Sequence, residues 1–195
     1  MIPKINEKLI TSAIKIFKQG GIVVFPTETA FGIGCRLDSP QSIERLFEIR
    51  KRPLNQATPV LVDSLEMAQD YLLPLKEDVK NLMGKNWPGA LTVIYPCLLD
   101  KVPSLVRGGG ETLGVRAPNH QTILEIIKEV GVPILGPSAN FHGLSTPYRF
   151  EDLDKEFLKL VDFVLPGECQ VGLASTVVDC SISPWNIIRQ GSVNV

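Results

Sequence analysis

Residues 20–34 read Gly20-Gly21-Ile22-Val23-Val24-Phe25-Pro26-Thr27-Glu28-Thr29-Ala30-Phe31-Gly32-Ile33-Gly34. The run Ile22 to Phe25 is short, β-branched and aromatic, and Pro26 ends it, which is the pattern of a buried strand. Just upstream, Ile5, Leu9, Ile10, Ala13, Ile14 and Phe17 recur at helical spacing over residues 5–19, with Asn6 as candidate cap and Gly20-Gly21 as the stop. A helix that feeds a buried strand through two glycines sets the α/β rhythm in which the remaining chain is read.

Downstream, Ser39-Pro40 reads as a cap followed by proline in the first turn, and Ile43, Leu46 and Phe47 continue one helical face to Arg50. The pattern predicts strands at 58–62, 90–95, 112–116, 133–135, 161–165, 175–179 and 185–189, and helices at 64–71, 75–83, 120–130 and 151–160. Helices and strands alternate at first and strands dominate the end, so the expectation is an α/β fold with a large mixed sheet and flanking helices, not a purely parallel one. No repeat, low-complexity tract or linker divides the chain, and residues 1–195 are read as a single domain, a size that can bury one core.

Composition narrows the function. Hydrophobic residues are 44% and charged residues 21%, a globular profile. Twenty Lys plus Arg against 21 Asp plus Glu give a net charge of −1, so any anion site must be local. Cys35, Cys97, Cys169 and Cys180 are scattered without a CxxC pair, and only His120 and His142 are available beside them, so no metal site is expected. Lys4, Glu7, Lys8, Lys15 and Lys18 interrupt every N-terminal apolar stretch, which argues against a signal peptide and for reduced cysteines in a cytoplasmic protein. No stretch supplies the roughly 20 apolar residues of a membrane span, so no membrane association is expected.

Several connections carry chemistry. In Pro26 to Gly34, two hydroxyls, a carboxylate and glycines at a strand end suit either a ligand loop or a self-satisfied turn. Gly32-Ile33-Gly34 lacks the third glycine of a dinucleotide fingerprint, and no GxxxxGK[ST] loop occurs. Arg50-Lys51-Arg52-Pro53 offers three charges suited to phosphate, or a solvated helix end. Residues 107–118 join a triglycine to a strand bearing Arg116, which is open to a carboxylate grip or an ion pair, with the glycines as a mobile flap or a long connection. Gly136-Pro137-Ser138-Ala139-Asn140 and Thr146-Pro147 follow a strand end, where open α/β sheets place ligands, although a capped turn fits equally. His120 reads as a helix cap and Trp87-Pro88-Gly89 as a packing element.

Taken in order, PTETAFGIG, RKRP, WPGALTVI, GVRAP with His120, PSAN, STVVD and IIRQG resemble the YrdC family of threonylcarbamoyl-adenylate synthases, from about Gly20 to Gly191. The resemblance implies a single YrdC-like domain whose twisted mixed sheet surrounds a concave, positively lined cavity. It implies an enzyme, a nucleotidyltransferase that joins L-threonine to bicarbonate and uses ATP to make threonylcarbamoyl-adenylate with release of pyrophosphate, for a partner that modifies adenosine in tRNA. It places Arg50 and Arg52 as catalytic and, with Lys51, Thr112, Gly136, Ser138, Asn140, Thr146 and Arg189, as ATP-binding. Thr29, Arg116 and Ser175 fall on the threonine-binding positions. Arg50 stands where the family has lysine, and Phe31 where it has an aromatic that bears a hydroxyl. Mg²⁺ is expected on the phosphates, with no protein cage for it. The competing readings are a non-catalytic protein binding tRNA or double-stranded RNA, whose affinity would fall steeply with salt, a carbamoyl-transfer module of larger proteins, and a generic ATP-binding regulator.

Overall fold

The computed structural model describes residues 5–195, so Lys4 lies outside the described residues. The opening helix is α1 (Glu7–Lys18), and the Asn6 side chain accepts from the N–H of Leu9, the cap its position predicts. It leads into β1 (Val23–Pro26). The next segment is the first departure from the sequence reading: Phe31–Gly34, expected as part of a connection, is a second strand, β2, antiparallel to β1 and buried at every residue. Two glycines in four residues hide a strand from propensity, but here they admit neighbouring backbone and rings.

The other elements follow the expected order. They are α2 (Pro40–Arg50), β3 (Val60–Leu61), α3 (Leu65–Gln69), α4 (Glu77–Asn86), β4 (Leu91–Pro96), β5 (Thr112–Arg116), α5 (Gln121–Val130), β6 (Ile134–Leu135), α6 (Lys155–Leu158), β7 (Phe163–Val164), β8 (Thr176–Asp179) and β9 (Asn186–Arg189). The helix expected over 151–160 is divided into a 3₁₀ turn at Phe150–Asp152 and the short α6, because Asp154 caps a new start by accepting from the N–H groups of Glu156 and Phe157.

The strands form two sheets. A six-stranded mixed sheet runs β6-β3-β5-β4-β8-β9, and a three-stranded sheet runs β2-β1-β7. In the larger one, β3 with β5 and β4 with β8 are parallel, while the remaining pairs are antiparallel. The sheets are stitched by backbone hydrogen bonds from Ile33 to Pro137 (2.9 Å), from Ala139 to Phe31 (2.9 Å) and from Leu135 to Cys35 (2.9 Å).

Period-two alternation divides the larger sheet. Leu91, Val93 and Tyr95 of β4, Leu113 and Val115 of β5 and Val178 of β8 join one core with Ile33 of β2 and with Leu46 and Phe47 of α2. A second core packs Ala13 and Phe17 of α1 against Ile123, Ile126 and Ile127 of α5 and against Phe25. Each such aromatic or branched side chain contributes about 1.5–3 kcal/mol on burial. The opposite face, carrying Thr92, Ile94, Thr112, Gly114, Arg116 and Val177, is left for the site.

Gly34 fixes how closely the sheets approach, since a Cβ there would lie 2.3 Å from the Leu135 carbonyl oxygen and 2.9 Å from the Phe25 ring. Gly34→Ala is therefore expected to cost about 1–3 kcal/mol in chemical denaturation; an unchanged midpoint would show that the sheets can separate freely at this seam.

Candidate active site

The chain after α2 turns by a Schellman motif. The N–H of Lys51 bonds Glu48 O, the N–H of Arg52 bonds Phe47 O, and Lys51 takes the left-handed conformation at φ 51°. This reversal sends Arg50 and Arg52 to one side and Lys51 to the other, with Lys51 Nζ 4.9 Å from the Phe141 ring centroid. Arg50 and Arg52 line a cavity of about 340 Å³, within the range of small-molecule sites.

The same cavity collects residues from distant parts of the sequence. Thr29 and Phe31 come from the start of the chain, Thr112 and Arg116 from β5, Gly136 and Ser138 from the segment after β6, Thr146 from the loop beyond it, Ser175 from the entry to β8 and Arg189 from β9. The β2-side hydrogen bonds hold this assembly, for Phe31 N–H also donates to Pro147 O at 2.9 Å and thereby draws Thr146 inward. Gly136 is required because a Cβ would lie 2.4 Å from Leu61 Cγ.

Of the residues assigned from sequence, Lys51 and Asn140 do not line the cavity. Lys51 is turned out by the left-handed backbone. The Asn140 amide Nδ2 donates to Phe141 O and Leu144 O, both at 2.8 Å, so it closes its own loop, and its carbonyl accepts from Arg50 Nε at 3.2 Å. His120 stands at the start of α5 but makes no side-chain cap, and burial lowers its pKa. The triglycine is packed at its first residue only: Gly108, at φ +59°, has no room for a Cβ beside the Ala57 N–H and the Asn55 carbonyl, whereas Gly109 and Gly110 are exposed, and the Arg107 guanidinium donates to the carbonyls of Val102 and Gly110. Thr92, which sequence reading passed over, lies 2.9 Å from Ser175 through their hydroxyls; the alternation Leu91-Thr92-Val93-Ile94-Tyr95 was the signal that would have placed it opposite the core.

Four arginines lie around the cavity, and their partners differ. Arg50 is 3% exposed, with Nε on a backbone carbonyl and Nη1 without a partner. Burial and the neighbouring Arg52 push its pKa down to about 10. A guanidinium still holds its proton at neutral pH, so this depression expresses a buried positive charge lacking an anion. Arg52 donates to the carbonyls of Gln56 and Ala57. Arg189 donates to Ser175 O and Oγ, each at 3.0 Å. Burial lowers the pKa of both. Among the described residues Arg116 alone of the four has a carboxylate: it donates to Glu28 Oε2 at 3.0 Å and to Thr29 Oγ1 at 2.8 Å, with both charged side chains buried. The arrangement can hold a polyanion against three fixed cations beside a subsite whose charge is internally offset.

Among the described residues no group of three or more His, Cys, Asp or Glu side chains is placed to hold a metal ion, and the cavity lining carries no carboxylate. The donor set therefore does not fit a resident Mg²⁺.

Comparison with known proteins agrees with this geometry. A family model covering Sua5, YciO and YrdC, described as "Telomere recombination", matches residues 15–191. A threonylcarbamoyl-AMP synthase of Bacillus subtilis is 33% identical over 192 residues, covering 96% of this chain and 55% of that relative. One from Pyrococcus abyssi is 30% identical over 191 residues, covering 97% and 56%. The chain thus spans little more than half the length of these two relatives. A crystal structure of P. abyssi Sua5 complexed with L-threonine superposes with a TM-score of 0.92 at 30% identity, over 97% of this chain and 56% of that one. With a matching family model over residues 15–191 and the same fold, the chain belongs to the Sua5/YciO/YrdC family.

Proposed function

We propose that the cavity makes L-threonylcarbamoyl-adenylate from L-threonine, bicarbonate and ATP. The observation that carries this reading is the buried Arg50 guanidinium, with Nη1 unpartnered and Arg52 beside it, on the wall of a cavity whose other side holds the Arg116–Glu28 pair. The names of the relatives, threonylcarbamoyl-AMP synthase, and the L-threonine in the P. abyssi Sua5 complex support it.

The threonine amine adds to bicarbonate with loss of water to give an N-carboxylate, and one of its oxygens attacks the α-phosphate of ATP. Pyrophosphate leaves and the acyl-adenylate remains. Two anions must meet, so fixed cations and oriented donors in a water-poor cavity are what the step requires. Arg50 and Arg52 hold the phosphates, while Thr112, Ser138, Thr146 and Arg189, with the backbone at Gly136, complete the nucleotide site. Arg116, Thr29 and Ser175 take the amino acid. Lys51 and Asn140 serve from outside, Asn140 by anchoring Arg50. The magnesium that accompanies ATP arrives on its phosphates, since the lining offers it no carboxylate.

Residues 1–195 are read as one YrdC-like unit, since the lining is drawn from Thr27 to Arg189. The product passes to a threonylcarbamoyl transferase that modifies tRNA adenosine, with direct tRNA contact secondary to catalysis. Four free cysteines, three of them buried, suit the reducing cytoplasm. No helix among the described residues is long and apolar enough to cross a membrane.

Pyrophosphate release from ATP is expected only when both L-threonine and bicarbonate are present; release that ignores either one would exclude adenylate synthesis. Arg52→Ala should lower kcat/KM for ATP by about 100-fold or more with a native circular dichroism spectrum, and undiminished turnover would remove this residue from the phosphate site. Arg116→Lys keeps the charge but loses the planar fork, so the threonine KM should rise by about tenfold while that for ATP changes by less than about twofold. Equal effects on both substrates in steady-state kinetics would argue that Arg116 does not contact the amino acid.

A further inference from the structure

Glu28 is 3% exposed, and its side chain does not line the cavity. One oxygen, Oε2, accepts from Arg116 at 3.0 Å, and the other, Oε1, is buried with no hydrogen-bond partner. Among the described residues the cavity lining contains four arginines and no acidic residue, and Glu28, behind it, is the carboxylate that pairs with one of these guanidinium groups. Its backbone is tied as well, since its carbonyl accepts from the N–H of Val171 at 2.7 Å.

Arg189 lines the same cavity as Arg116, and burial first and then the Arg189 charge hold the Arg116 pKa down. Without Glu28 this end of the cavity would be an anion trap like the Arg50–Arg52 end, and phosphate or a second nucleotide would compete there with an amino acid. Burying an unpaired charge is costly, and a site bearing one is relieved by any anion that fits. With Glu28 in place, the Arg116 charge is offset and the unmatched guanidinium left near this end, Arg189, is exposed to solvent, while a ligand with a carboxylate and an ammonium neither adds nor removes charge when it binds.

We infer that Glu28 is a specificity-determining residue: by offsetting Arg116 from beneath the cavity wall it makes the amino-acid subsite select a zwitterion over an anion. It acts through Arg116, without touching the ligand, and so is a positioning residue and not a general base. The inference rests on the amino-acid assignment of this subsite and adds the reason that it rejects phosphates.

The test is calorimetric titration of L-threonine and of 2,3-dihydroxybutanoate of the same stereochemistry, in which a hydroxyl replaces the ammonium and leaves a net anion. The wild-type chain should bind threonine at least about tenfold more tightly than this analogue. In Glu28→Gln, which keeps the shape but not the charge, the preference should vanish or invert, and inorganic phosphate should become a competitor of threonine. Glu28→Asp, which keeps the charge but shortens the side chain, should retain the preference. A packing role predicts the reverse order, with Gln tolerated and Asp damaged, and that result would overturn the inference. If Glu28→Gln does not fold, the wild-type comparison still decides, because equal or tighter binding of the anion overturns the inference. Wild-type protein that binds no threonine would overturn the functional reading and this inference with it, whereas threonine binding with an unchanged preference in folded Glu28→Gln overturns the inference alone.

Discussion

The Arg50 guanidinium, taken out of water and left without an anion, is the constraint around which this cavity is arranged. Arg50, Arg52 and Arg189 are held by the carbonyls of Asn140, Gln56, Ala57 and Ser175 and by the Ser175 hydroxyl, partners that orient a guanidinium without cancelling its charge. Burying Arg50 costs stability, which the two apolar cores offset, and the cavity wall is left with guanidinium groups already oriented before any ligand arrives. Arg116 is treated differently, since Glu28 offsets its charge while the other three guanidinium groups meet no carboxylate among the described residues. Breaking the buried Arg116–Glu28 pair from either side would leave a stranded charge, a loss of roughly 3–5 kcal/mol.

The fold serves this arrangement by giving the six-stranded sheet two unlike faces. On β4, β5 and β8 the same backbone alternation that sends Val93, Val115 and Val178 into the core sends Thr92, Arg116 and Val177 to the cavity. A slip of one residue in any register would exchange the two sets, so the packing that stabilises the sheet also fixes the lining. The smaller sheet closes the opposite side. Its strand β2 contributes little by way of side chains at Gly32 and Gly34, and much by way of backbone hydrogen bonds to the segment 135–147. Glycine at position 34 allows main chain to approach main chain and at position 32 makes room for the Phe25 ring, which brings Thr29, Ser138 and Thr146 around one space.

Local devices do the final positioning. Lys51 adopts a left-handed conformation that costs about 1–2 kcal/mol for a residue with a Cβ, and the return is that its two arginine neighbours point the same way. Ser175 sits between Thr92 and Arg189, so its hydroxyl is oriented by two strands at once. Asn140 shows how a residue outside the lining still governs it, since closing the 140–144 loop sets the carbonyl on which Arg50 rests.

The linear pattern of the chain was sufficient for the α/β rhythm and for most element positions, because periodic burial of Ile, Val, Leu and Phe is a local property: α2 from Pro40 to Arg50 and β5 from Thr112 to Arg116 fall where that pattern puts them. The ordered segments also marked the cavity, and ten of the twelve residues assigned from them line it. Local pattern did not reveal β2, since Gly32 and Gly34 suppress strand propensity and only pairing with β1 restores it. It did not separate Lys51 from its neighbours, because adjacent charges look alike until a backbone dihedral turns one away. Nor could it pair Glu28 with Arg116, which are 88 positions apart in sequence. Contacts of that kind exist only once the sheets close on each other, and so the charge balance of the site was decided by tertiary structure.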